Sequence, residues 1–88
     1  MFDNLVVTAG IHAKLEANPS FYRDVMGSLR RFSRYDWGEL DFEDIETNNH
    51  ALLYGERILA AYDTCEGKIW IITEWDRSAT TVLFPDEY

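Results

Sequence analysis

Several things are scarce in this 88-residue chain, and each scarcity excludes something. A single cysteine, Cys65, rules out an intramolecular disulfide and suits a reducing compartment. No apolar run is long enough for a membrane-spanning helix. The opening Met-Phe-Asp-Asn lacks a basic n-region, so no secretory signal is expected. The two prolines fall near element ends, and no repeat, linker or low-complexity tract interrupts the chain, which reads as one domain over residues 1–88. The sharpest absence is of positive charge: the 22 residues from Tyr35 to Glu56 contain no Lys or Arg.

Chemical motifs are missing as well. His12 and His50 lie far apart and Cys65 stands alone, so no zinc spacing exists. The acids from Asp36 to Glu46 lack the order, central glycine and closing glutamate of an EF-hand. Ser28, Ser33 and Ser78 have no GxSxG or SxxK context, and no glycine-rich phosphate loop is present. No catalytic residue, metal ligand or cofactor site is expected, and the chain does not read as an enzyme.

What is present points to a folded, acidic globule. Hydrophobic residues make up 47% and aromatics 15%, too much of both for a disordered chain. The formal charge of −8 and a pI near 4.5 weigh against direct binding to DNA, RNA or an anionic membrane. Together these features suggest a cytoplasmic protein.

Residues 5–17 are ambiguous, because Val6 and Val7 favour a strand while Ile11, Ala13, Leu15 and Ala17 suit either period; a helix from about Thr8 is preferred. Asn18-Pro19-Ser20 is a helix start. Phe21, Tyr22, Val25, Met26, Leu29 and Phe32 then recur at three- and four-residue spacing, predicting an amphipathic helix over roughly 20–34. Its last turn is rich in arginine, which complements the helix dipole. Asp41 reads as the N-cap of a further helix that ends at Gly55, with Phe42, Ile45, Asn49, Leu52 and Leu53 as its inner stripe. From Arg57 the period changes to two. Arg57–Thr64, Lys68–Glu74 and Ala79–Phe84 are predicted strands, the first two joined by a Cys65-Glu66-Gly67 hairpin turn. In the next turn, Asp76 and Arg77 are expected to pair with each other. The fold expected is α+β, with two or three N-terminal helices packed on a three-stranded antiparallel meander.

The window without bases carries Asp36, Glu39, Asp41, Glu43, Asp44, Glu46 and Glu56, seven acids that hold −7 of the net −8. Asp41, Glu43 and Asp44 have a local role at a helix start. Asp36 and Glu39 flank Trp37, an aromatic that either anchors the loop between two helices or forms a contact with an arginine-rich partner. Trp70, alternating with Ile69 and Ile71, either pads the core or leaves one sheet face exposed for a protein contact. His50 is read as a solvated helix residue.

The stretches Asp36–Asp41, Gly55–Tyr62, Gly67–Glu74, Asp76-Arg77-Ser78 and Thr80–Tyr88 resemble a family of small acidic proteins carried on plasmids, conjugative elements and phages of gut Firmicutes. The likeness covers roughly residues 36–88. It implies a mobile-element setting, in which small acidic proteins often disarm host defences, as anti-CRISPR proteins do. It supplies no functional residues.

The leading expectation is a non-enzymatic inhibitor whose acidic face occupies a basic surface of a host nucleic-acid-binding protein, such as a CRISPR effector. Its candidate contacts are Asp36, Trp37, Glu39, Asp41, Glu43, Asp44 and Glu46. Phosphate mimicry would be partial, because the position that extends the row from Asp41 and Asp44 is the uncharged Asn48. The alternative is a homo-oligomeric module such as a homodimer, pairing through its third strand or the Trp70 face, with the acids serving solubility alone.

Overall fold

A computed structural model of the chain describes residues 4–88. Among these residues the elements run β1 (Leu5–Val7), α1 (Ala9–Ala17), α2 (Pro19–Ser33), α3 (Phe42–Tyr54), β2 (Ile58–Thr64), β3 (Gly67–Thr73) and β4 (Thr80–Leu83). A 3-10 turn, Pro85–Glu87, closes the chain. The fold is α+β, as the periodicities imply.

The ambiguous stretch 5–17 holds two elements in succession. The β-branched Val6-Val7 pair forms β1, and the Thr8 hydroxyl, accepting from the Ile11 N–H, starts α1. Asn18 then serves both neighbouring helices. Its N–H donates to the Lys14 carbonyl at the end of α1, while its Oδ1 accepts from Ser20 and Phe21 at the start of α2. Phe21, Val25, Leu29 and Phe32 form the buried stripe of α2. α3 begins at Asp41, whose side chain accepts the Asp44 N–H at 2.9 Å, and stops at Gly55 in the left-handed region.

The sheet corrects the expected topology. It has four strands in the order β1-β4-β3-β2, and β1 lies parallel to β4 with Val6 opposite Thr81. The antiparallel β2-β3-β4 meander is present within it. The reason for the addition is physical: a three-stranded meander would leave β4 as an edge, and β1 satisfies that row of backbone groups.

Ile58, Ala60, Tyr62, Ile69, Ile71 and Val82 line the face covered by helices and share one core with Ile11 and the α2 stripe. Ala61, Ile72 and Leu83 alternate to the other face and are also buried. There Trp70 sits half-buried opposite Ala61 and Leu83 across the ladder. Tyr88 meets the Trp70 ring edge-on at 5.7 Å, and the Arg57 guanidinium lies 5.1 Å over Tyr88 and donates to its hydroxyl. Neither reading of Trp70 holds as stated. It is not in the helix-covered core, nor is it bare: with Tyr88 and Arg57 it forms a thin second layer.

Two helices take their dipole partners from remote residues. α1 has no acid in its first turn, and Glu87 supplies one, accepting from the Thr8 hydroxyl (2.6 Å), the Phe84 N–H (2.9 Å) and the Gly10 N–H (3.1 Å). The Thr8 bond, with the backbone donors, holds the Glu87 carboxyl below the usual glutamate range. α3 has no base in its last turn, and Arg77 caps it by donating to the carbonyls of Ala51 (3.0 Å), Glu56 (2.6 Å) and Glu74 (3.1 Å). The expected Asp76–Arg77 pair is thereby corrected. Carbonyls at the helix end claim the guanidinium, and Asp76 accepts the Ser78 N–H instead.

Candidate functional site

The loop between α2 and α3 positions the first candidate residues. After Tyr35, which takes a positive φ of 64°, the chain passes along the free edge of β2. The Glu39 N–H donates to the Ala61 carbonyl at 2.7 Å, and the Ala61 N–H donates to the Trp37 carbonyl at 3.2 Å. Gly38 lies at the closest approach, with φ 80° and an ideal Cβ only 2.0 Å from the Ala61 carbonyl oxygen. No side chain fits there.

This loop spends its charge internally. Arg31, from the last turn of α2, donates Nε to Asp36 Oδ2 at 2.8 Å and Nη2 to Oδ1 at 3.2 Å, and its guanidinium lies 3.8 Å from Glu39. The Arg31 bond, helped by the Gly38 N–H, holds the Asp36 carboxyl below the usual aspartate range, and Arg31 is raised in turn. The Asp36 carbonyl accepts from the buried Tyr62 hydroxyl, whose pKa is pushed up by burial. Asp36 and Glu39 are thus both held by one arginine outside the base-free window, which offsets one of their two charges.

Trp37 is 3% exposed. Its ring meets Phe32 edge-on at 5.3 Å, and its Nε1 donates to Asn49 Oδ1 at 2.9 Å. Of the two readings of this residue, the loop anchor fits the geometry. Its ring is not offered to a partner, because it is the apolar plug between α2 and α3.

α3 supplies the rest. Glu43, Asp44 and Glu46 are exposed, and among the described residues no cation lies within ion-pair distance of them. Elsewhere Asp63 pairs with Lys68 and Glu66 with Lys14, and His12 and His50 lie beside Glu16 and Glu56, while Asp24, Glu74, Asp76, Asp86 and Glu87 also have no cation within ion-pair distance among the described residues. His50 is exposed, stacks on Tyr54 at 4.4 Å, and meets Glu56 at 2.7 Å. Glu43, Asp44 and Glu46 stand out by density, three exposed acids within four residues of one helix.

Of the inner stripe expected for α3, Ile45 packs against the core, but Phe42, Leu52 and Leu53 do not. Phe42 is 75% exposed and Leu53 78%, with Leu52 and Tyr54 exposed beside them. The residues facing inward are Asn48 at 4%, Ala51 at 1% and the half-buried Ile45. Polar bonds set this orientation. Asn48 Nδ2 donates to the Leu59 carbonyl at 2.7 Å, and its Oδ1 accepts the Leu59 N–H at 3.2 Å. That amide reads the edge of β2 as a neighbouring strand would, and Ala51 is small enough to let the helix come close. Asn49, reaching Trp37, holds the same roll from the other side. A pair of asparagines in mid-helix, where they are poor formers, was the signal in the sequence that these positions make specific bonds. Asn48 also ends the acid row by turning inward, so Asp41 and Asp44 are not continued along that line.

These contacts block β2: the outward groups of Leu59 and Ala61 are both taken. β4 is paired on both sides. The third predicted strand therefore has no free edge for a second copy, which corrects that route to a homo-oligomer.

Among the described residues, no three His, Cys, Asp or Glu side chains converge to hold a metal ion, and no helix is long and apolar enough to cross a membrane. No protein-family model matches the chain, and neither a curated protein nor a solved structure matches it.

Proposed function

We propose that the protein is a non-enzymatic binding module that places the acidic first half of α3 on a basic surface of a nucleic-acid-handling protein. The observation that carries this reading is the uneven balance of charge. Glu43, Asp44 and Glu46 put three exposed acids within four residues of one helix, with no cation within ion-pair distance of them among the described residues. Concentrated unpaired charge costs self-repulsion in the free protein and is relieved by a basic partner. Asp36 and Glu39 contribute field but are held by Arg31, Asp41 is occupied as a cap, and Trp37 contributes support from inside.

In the setting implied by the sequence resemblance, the module is a cytoplasmic accessory factor of a mobile element. Its target is a host-defence protein with a nucleic-acid groove, a CRISPR effector being the representative case. Occupying such a groove blocks the nucleic acid without imitating its spacing, since the acids form a short cluster and not a long row.

Affinity capture from a bacterial host lysate tests this. Wild-type protein should retain a basic nucleic-acid-binding protein at low salt and release it at ~0.5 M salt, where the Debye length is only about 4 Å. The triple variant Glu43→Gln/Asp44→Asn/Glu46→Gln should lose it. An unchanged catch from the variant would place the interface elsewhere.

A further inference from the structure

α3 leaves more than charge in solvent. Phe42 and Leu53 are eleven residues apart, about three helical turns, so they stand on one face roughly 16 Å apart along the axis. Glu46 lies between them on that face, and Glu43 borders it. In most surface helices such a stripe is the buried side. Here the Asn48 bonds to Leu59 turn it outward, while Asn49, on that same side of the helix between Phe42 and Leu53, reaches in to Trp37. Exposed large apolar side chains rimmed by charge mark contact surfaces.

We infer that this face of α3 is a docking helix, with Phe42 and Leu53 as its apolar anchors and Glu43 and Glu46 as its rim. The partner it fits presents an apolar strip bordered by lysine or arginine. Charge complementarity selects that occupant over a second copy of the chain. α3 carries Glu43, Asp44 and Glu46 and no Lys or Arg, so two copies meeting through this face would bring acids together with no cation between them. The inference rests on the proposed binding of a basic partner and adds how that partner is gripped. The acids steer the approach and keep the wrong partners off, while the two apolar side chains set how long the complex lasts.

The two layers separate in one titration of the full chain. The probes are two lysine-rich helical peptides of equal length and charge, one with a leucine stripe flanked by the lysines and one with serine in its place. The leucine peptide should bind wild-type protein at least about tenfold more tightly, with NMR shifts centred on α3. Phe42→Ser/Leu53→Ser should erase that advantage and leave the serine peptide's binding unchanged. Glu43→Gln/Glu46→Gln should weaken both peptides. If leucine confers no advantage, or an advantage survives in the serine double variant, the anchors are refuted while the charge reading stands. If both peptides ignore the glutamine variant, the charge reading fails by itself. A wild-type dimer in sedimentation that Phe42→Ser/Leu53→Ser abolishes would give the face to a second copy and overturn the inference.

Discussion

At the scale of single residues, positions that look interchangeable in composition carry specific geometric work. Gly38 is the clearest. A Cβ there would sit 2.0 Å from the Ala61 carbonyl and 2.6 Å from the Tyr62 ring, at a φ of 80°. Gly38→Ala should therefore destabilise the protein by about 3 kcal/mol or more, through clash and strain together, as urea unfolding would register. A loss within about 0.5 kcal/mol would mean that the loop does not follow the edge of β2. Glu87 makes a prediction of a different kind. Its folded-state pKa lies below the ordinary glutamate value, so its contribution is fully present above about pH 4.3 and is lost as pH falls through the lower folded value. Glu87→Gln should be less stable than wild type near neutrality, and the gap between the two should narrow as pH drops below about 4. A gap that is constant with pH would contradict the Thr8–Glu87–Gly10 clasp.

The elements show how far a local pattern reaches. The caps were legible because each is written within three or four residues: Asn18 before Pro19, Asp41 before Asp44, Gly55 and Gly67 at sharp turns. α2 was legible because its apolar residues repeat at helical spacing and nothing competes with them. α3 misled for a definite reason. Its apolar stripe is interrupted by asparagines, and two side-chain amides bonded to Leu59 and Trp37 outweigh the burial of Phe42 and Leu53. Asn48 satisfies two backbone groups that would otherwise be buried unpaired. Asn48→Leu should cost about 2–4 kcal/mol. It should also raise light scattering during refolding, since the edge of β2 is uncovered. Thr47→Ala, one position away on the exposed side, should change stability by less than about 0.5 kcal/mol. Equal effects at the two positions would deny Asn48 its edge-blocking role.

At the scale of the whole molecule, the parts hidden from sequence reading are those joining residues far apart in the chain. β1 finds β4 about 75 positions on, Glu87 reaches Thr8, and Arg77 closes the end of α3. Nothing in a three-residue strand names its partner, and no turn motif says which helix an arginine caps. The charge window, by contrast, was legible as a count but not as a distribution. Arg31, just outside it, holds Asp36 and Glu39 and offsets part of their charge, and the densest run of exposed unpaired acids is on α3 beside an apolar face.

The orientation of the proposed docking face can be measured without any partner. Urea unfolding of the Phe42→Ser/Leu53→Ser double variant is the direct test. With both side chains in solvent, as found, the variant should keep the wild-type stability to within about 1 kcal/mol. Were α3 turned with its apolar stripe toward the sheet, each substitution would empty a core site, and the pair would lose more than about 4 kcal/mol.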